Sequence, residues 1–199
     1  LKLWKKNCVE KVLESIHMNT ENGIAIIGLG YVGLPLALAF SKQYSVIGCD
    51  VSKNRIESLS KFKDNTREVD EDELRNASNI VFTSCPDLIS KASVFIITVP
   101  TPVDDNKVPD LSMISSATEL VGKVLKYGDT VIYESTVYPG TTEEVCAPIL
   151  EKHSGLKFNE GFFCGYSPER VNPGDKNHSL VDIVKVTSGS TLEVAKNVD

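Results

Sequence analysis

Ile24-Ala25-Ile26-Ile27-Gly28-Leu29-Gly30-Tyr31-Val32-Gly33-Leu34-Pro35-Leu36 decides how this chain is read. A short apolar run leads into a Gly-x-Gly-x-x-Gly turn, and an apolar helix follows it. Asp50 lies 22 residues beyond Gly28, at the end of a second apolar run, Tyr44 to Cys49. The glycine string alone is weak evidence. With a strand before it, a helix after it and an acid at this distance, it reads as a dinucleotide-binding fingerprint. Gly28 permits the tight turn, Gly30 admits a pyrophosphate close to the backbone, and Gly33 lets the helix approach the strand. Tyr31 and Val32, between the glycines, act through the backbone or structurally. Free N–H groups and the positive dipole end of the helix face the phosphates.

Asp50 is expected to accept hydrogen bonds from the adenosine ribose hydroxyls. Its charge repels a 2′-phosphate, so NAD is favoured over NADP. Two observations stand against this. Asp50 also suits an N-cap for the turn at Val51-Ser52, and Arg55 lies near enough to reach a phosphate.

Outward from this turn, the pattern alternates strand and helix. Strands are expected near 23–28, 44–50, 79–83, 93–99, 129–134, 159–164 and 182–187. Helices are expected near 31–42, 53–60, 70–77, 86–91, 111–126 and 142–153. Several strands, such as Ser93-Val94-Phe95-Ile96-Ile97-Thr98-Val99, are apolar at nearly every position, as strands buried on both faces are. Val32, Leu36 and Phe40 make one apolar helical stripe. Asp110 is a candidate N-cap, Gly128 a helix closer, and Thr141 with Glu144 a capping box. Pro148 should kink the 142–153 helix or delay its start. The fold class is therefore α/β: a doubly wound, mostly parallel sheet, a Rossmann-like NAD-binding domain.

Residues 21–199 read as that domain and 1–20 as an N-terminal extension. Trp4, Cys8, Val12, Leu13 and Ile16 share one helical face. This segment reads as a docked terminal helix, as an upstream extension with Met18 as the working start, or as a membrane-surface helix. Leu1 to His17 has no continuous apolar core and does not read as a signal peptide.

Composition narrows the function classes. At 199 residues, 41% hydrophobic and 24% charged, the chain can build one core without staples. A net charge of −6 with no basic run argues against nucleic acid as a partner. No apolar run approaches the ~20 residues that span a membrane. Cys8, Cys49, Cys85, Cys146 and Cys164 are scattered and odd in number, which fits reduced thiols in a cytoplasm. His17, His153 and His178 lack metal-ligand spacing and read as surface residues, so no metal is expected.

Further candidates sit at strand ends, where ligands bind in open parallel sheets. Val99-Pro100-Thr101-Pro102 ends the fourth strand, so Thr101 either meets the cofactor or belongs to a rigid proline turn. Glu134-Ser135-Thr136 ends the fifth; Ser135 and Thr136 bring hydroxyls to the cofactor or substrate, or merely lead into a helix. Gly165-Tyr166-Ser167-Pro168-Glu169-Arg170-Val171-Asn172-Pro173-Gly174 follows the sixth. There Glu169 can act as a base and Arg170 can bind an anion. A solvated ion pair in a loop is the bland alternative.

Together these motifs resemble the nucleotide-sugar 6-dehydrogenases, the UDP-glucose and UDP-N-acetylhexosamine dehydrogenases. The resemblance rests on the opening string, Val99 to Pro102 with Pro109-Asp110-Leu111-Ser112, Glu134-Ser135-Thr136-Val137, and Ser167-Pro168-Glu169-Arg170, and runs from about residue 22 onward. The Pro168-Glu169-Arg170-Val171-Asn172-Pro173-Gly174 form is similar to the N-acetylhexosamine branch, which includes enzymes of capsular polysaccharide precursors. The resemblance implies two oxidations of a UDP-sugar C6 alcohol to a uronic acid, with two NAD and a cysteine thiohemiacetal and thioester between them. Asp50 and Arg55 would hold the adenosine half, and Thr101 and Ser135 would line the cofactor. Thr136 and Glu169 would position water and assist proton transfer, and Arg170, Val171 and Asn172 would border the sugar. The family's cysteine segment has no counterpart among the five cysteines here. The chain is therefore expected to be the NAD-binding part of a longer, cytoplasmic, homodimeric enzyme, without turnover of its own. A UDP-glucose dehydrogenase and a stand-alone NAD-binding module are the alternatives.

Overall fold

Five consecutive buried residues, Gly23–Ile27, form β1, an interior strand of a seven-stranded sheet. A computed structural model describes residues 23–170 and 185–199. β2 (Val46–Cys49) and β4 (Ala92–Ile97) flank β1, β3 (Ile80–Thr83) lies beyond β2, and β5 (Asp129–Tyr133) and β6 (Phe162–Tyr166) extend the other side. The order is β3-β2-β1-β4-β5-β6-β7. The first six strands pair in parallel, and the two-residue β7 (Ser188–Gly189) runs antiparallel to β6. The doubly wound, mostly parallel sheet read from the sequence is thus present. Its order reverses between β1 and β4, which opens a crevice at the carboxyl ends of those strands.

Continuous apolar strands follow from this arrangement, because successive side chains enter opposite cores. Ala25, Ile27, Ile47, Phe95, Ile97, Val131 and Tyr133 face one core. Ile24, Ile26, Val46, Ile96 and Ile132 face the other. The second core is closed by α1 (Gly33–Ser41), α2 (Lys53–Ser60) and α3 (Glu71–Asn76). The first is closed by a 3-10 turn (Pro86–Lys91), α4 (Ser112–Gly122) and α5 (Ala147–Ser154), while α6 (Leu192–Val198) follows β7. Each fully buried aliphatic or aromatic side chain contributes ~1.5–3 kcal/mol. Among the described residues no helix is long and apolar enough to cross a membrane.

Several local expectations change. α1 begins at Gly33, after the glycine turn, and Leu34, Ala37 and Leu38 are buried beside Leu36, so its contact face exceeds a single stripe. α4 stops at Gly122; Gly128 instead takes φ +91° in the turn entering β5. Asp110 lies just outside the helix cap, yet its carboxylate accepts the Ser112 N–H at 2.8 Å. The Thr141–Glu144 capping box does not form, because Thr141 is already helical and its hydroxyl donates to the Tyr138 carbonyl. Pro148 acts as expected. A π turn (Thr142–Cys146) precedes α5, and the Ala147 N–H reaches back to the Thr142 carbonyl. Proline offers no N–H for a regular turn, so the wider turn absorbs the defect. β6 begins three residues later than expected. The last strand is displaced to 188–189, and residues 182–184 of its expected span lie outside the described residues, as do residues 1–22 with the N-terminal extension, Cys8 and His17, and also His178. His153 is half-buried, 3.8 Å from Glu119, rather than fully at the surface.

A buried ion pair ties the turn after β1 to α2 and the segment beyond it. Arg55 on α2 donates from Nε to the Leu29 carbonyl at 2.7 Å and from Nη1 to Asp64 at 2.6 Å. Asp64 also accepts N–H groups from Thr66, Glu68 and Val69. Burial alone would raise its pKa, but hydrogen bonds from Thr66, Arg55 and the backbone outweigh it and hold the carboxyl below its ordinary value of 3.8. A lowered native value means that Asp64 stabilises the fold above its ordinary value and that this support is lost as the pH falls through the native one. Asp64→Ala strands the buried Arg55 guanidinium and should cost about 3 kcal/mol in urea unfolding at neutral pH. The variant should also lose this part of the acid dependence of stability.

Candidate functional site

The crevice is built around the turn after β1. Gly28 has φ +95°, a conformation that side-chain-bearing residues rarely adopt. A Cβ at Gly33 would stand 1.9 Å from the Gly28 carbonyl oxygen and 2.5 Å from the Thr98 hydroxyl. No side chain fits there, so α1 starts directly against the turn. At Gly30 a Cβ would meet nothing within 4 Å. Gly30 therefore leaves backbone open on the crevice side. Thr98, just past β4, donates its hydroxyl to the Gly28 carbonyl at 2.7 Å and fastens the turn to the neighbouring strand.

Asp50 extends from the end of β2 toward this turn. Its Oδ2 accepts the Leu29 N–H and its Oδ1 the Ser52 N–H, both at 2.8 Å. Ser52, not Asp50, is the N-cap of α2. An ionised carboxylate has about four lone-pair sites, so Asp50 retains acceptor capacity for a ligand. Arg55 is buried behind the turn and engaged by Leu29 and Asp64, a placement that sequence spacing did not convey.

Two adjoining cavities share Gly30, Thr98, Val99 and Pro100. One, of about 410 Å³, runs from Asp50 past Gly28 to Met113 and Ala117 on α4. The other, of about 380 Å³, runs from Tyr31 and Val32 to Thr101, Thr136, Glu134 and Glu169. The structure thus brings Tyr31, Val32, Thr101, Ser135, Thr136 and Glu169 to one cavity. Thr101 donates its hydroxyl to the Thr136 carbonyl at 2.6 Å, and the buried Ser135 donates to the Val99 carbonyl at 2.5 Å. These two bonds fasten the ends of β4 and β5 together. Thr136 itself is exposed to the cavity. The Glu169 side chain is largely buried, at 10% exposure, and accepts the Arg170 main-chain N–H at 2.6 Å. Arg170 is exposed, and Val171 and Asn172 lie outside the described residues.

Sequence reasoning passed over three residues here: Thr98, Glu134 and Lys185. Glu134 is a buried acid directly after an apolar strand, and Lys185 bonds to it from the segment before β7. An acid ending a buried strand was a readable signal. A lone lysine 51 positions away was not. Burial raises the Glu134 pKa, opposed by the hydrogen bond and charge of Lys185, and the nearby Glu169 adds to the rise.

The three buried thiols, Cys49, Cys146 and Cys164, do not suit nucleophilic work, and the partly exposed Cys85 lines neither cavity. Burial, with Asp50 adding to it, pushes Cys49 up to about 12. Burial likewise raises Cys146 and Cys164. Thiols held protonated react poorly.

The sequence profile described as UDP-glucose/GDP-mannose dehydrogenase family, NAD binding domain, matches residues 22–198. The chain belongs to this family. It is 58% identical over 176 residues to the UDP-N-acetyl-D-glucosamine 6-dehydrogenase of Pseudomonas aeruginosa, covering 88% of this chain and 42% of that protein. It is 53% identical over 175 residues to Protein CapL of Staphylococcus aureus, covering 88% and 41%. Among solved structures, the UDP-D-ManNAc dehydrogenase of Pyrococcus horikoshii aligns with a TM-score of 0.77 at 33% identity, covering 88% of this chain and 43% of that one. The chain spans less than half the length of these relatives.

As an NAD-binding domain of the UDP-glucose/GDP-mannose dehydrogenase family, the chain fits its cofactor in two observed respects. The backbone at Gly30 is open, and Asp50 keeps acceptor capacity on the adjoining cavity. Gly30→Ala and Gly33→Ala should therefore part company. Gly30→Ala should keep the wild-type melting temperature within about 2 °C, a surface-sized effect, while losing NAD affinity in calorimetry. Gly33→Ala should fail to fold stably, seen as loss of the cooperative melt.

Proposed function

We propose that this chain is the NAD-binding part of a UDP-N-acetylhexosamine 6-dehydrogenase making a uronic-acid precursor for a surface or capsular polysaccharide. The observation that carries this reading is the pair of adjoining cavities that share Gly30, Thr98, Val99 and Pro100, with Asp50 in one and Thr136 and Glu169 in the other. Similarity to a UDP-N-acetyl-D-glucosamine 6-dehydrogenase supports the choice of sugar. Bound NAD would supply the hydride acceptor.

In this reading Asp50 accepts the ribose hydroxyls, and its charge selects against a 2′-phosphate. The main chain at Gly28, Gly30, Tyr31, Val32 and Gly33 lies against the pyrophosphate at the N-terminus of α1. Arg55 serves the adenosine side by holding the Leu29 carbonyl, and thereby the turn. Thr101 and Ser135 shape the wall beside the nicotinamide through their bonds to Thr136 and Val99. Thr136 orients a water or the sugar C6 oxygen, and Glu169 takes and returns protons there. Arg170, Val171 and Asn172 border the sugar. The enzyme works in the cytoplasm as a homodimer. The four described cysteines, none of them in a disulfide, support that compartment, and the family resemblance supports the dimer.

The 199-residue chain should bind NAD in calorimetry, and Asp50→Ala should weaken that binding at least tenfold, about 1.4 kcal/mol. Unchanged affinity would refute the ribose assignment. Mixed with NAD and UDP-N-acetylglucosamine, the chain should form no NADH in steady turnover, because Cys49, Cys146 and Cys164 are buried and held protonated and Cys85 lines neither cavity of the crevice. Steady NADH production would overturn that part of the reading.

A further inference from the structure

Three charged side chains from three separate segments converge at the carboxyl edge of the sheet. Glu134 follows β5 and is 5% exposed, Glu169 follows β6, and Lys185 approaches from the segment before β7 with a side chain 20% exposed. The Lys185 ammonium donates a short charge-assisted hydrogen bond to Glu134 Oε2 and stands 3.7 Å from Glu169 Oε2. The backbone repeats the link, since the Glu169 N–H donates to the Glu134 carbonyl at 3.2 Å. Other groups near this cluster, among the described residues, are the buried Ser167 hydroxyl beside Glu134, the Tyr31 phenol on the glycine turn and the exposed Arg170. None of them places a second cation between the two carboxylates.

Desolvating a lysine costs several kcal/mol unless close partners offset it. Two carboxylates this near one another repel, and one of them is driven toward the neutral form unless a cation lies between them. The bond to Glu134 alone would satisfy Lys185 as a structural pair. Its reach to Glu169, which lines the same cavity as Thr136, gives the pair a second consequence.

We propose that Lys185, anchored by Glu134, is a positioning residue that holds the Glu169 carboxylate in the cavity it shares with Thr136. The inference rests on the reading of Glu169 as the proton-handling group. The described bonds of Lys185 run to Glu134 and Glu169 and not to the glycine turn, so its effect falls on Glu169 rather than on cofactor affinity.

The carboxyl carbon of Glu134, followed by NMR through a pH titration of the 199-residue chain, reports on both neighbours. Lys185→Met should raise its midpoint by about one pH unit or more. Glu169→Gln should lower it, and Lys185→Arg should return it to the wild-type value. An unmoved midpoint in Lys185→Met, or a Lys185→Arg variant that behaves like Lys185→Met, overturns the clamp. Calorimetry on the same samples keeps the two readings apart. Wild-type chain that binds no NAD sinks the proposed function, whatever the carboxyl titration shows. In the full-length enzyme, Lys185→Met should lower kcat by about tenfold or more, within the range of lost proton-transfer assistance, with KM for NAD unchanged and kcat restored by Lys185→Arg. A kcat that is unaffected, or a loss confined to KM for NAD, overturns the positioning role.

Discussion

The approach of α1 to the turn at Gly28 is closer than any side chain allows, and the rest of the cofactor crevice depends on it. With a Cβ position 1.9 Å from the Gly28 carbonyl oxygen, Gly33 is the point where helix and strand touch. The contact sets the direction in which α1 leaves the sheet, and so where its free N–H groups point. Thr98 secures the turn from β4, Asp50 from β2 and Arg55 from α2. Three elements thus fasten one short backbone segment, which is how a loop acquires the precision that phosphate recognition needs. The acidic Asp64 behind Arg55 keeps that arginine buried without an unpaired charge.

The two ends of the crevice are made differently. At the Asp50 end the turn is held by residues close in sequence, from the end of β2 and from α2, with α4 closing the far wall. The Glu169 end is assembled from strand termini, joined by hydroxyl-to-carbonyl bonds between Thr101 and Thr136 and between Ser135 and Val99. Those bonds align β4 and β5 beyond the last regular pair. Glu134, Lys185 and Glu169 then place opposite charges in a poorly hydrated corner, where their interaction is stronger than at the surface.

The glycine turn, Asp50 and the run of buried strands were legible because each depends on local chemistry: tolerance of a tight conformation, charge at a fixed distance, and apolarity at successive positions. The doubly wound sheet follows from these. Helix ends were read less well. Thr141 and Glu144 have capping-box spacing, but Thr141 enters the helix and turns its hydroxyl back to Tyr138. Gly128 looked like a helix closer and proved to be the turn into β5, since Val124, Leu125 and Lys126 leave the helix before it. A motif signals the presence of an end more reliably than its position, because packing against the sheet selects among neighbouring registers.

The amino-acid string alone carried the fold class, the cofactor and the family, since all three rest on short spacings within one βαβ unit and on ordered motifs at strand ends. It also carried the candidate residues Thr101, Ser135, Thr136 and Glu169. Only the folded chain shows that Arg55 lies behind the turn with Asp64, that the Thr101 and Ser135 hydroxyls brace the main chain, and that Lys185 joins Glu134 to Glu169. Each is a pairing of side chains or hydroxyls whose partner is chosen by sheet order and burial. No periodicity or spacing along the chain encodes such a meeting.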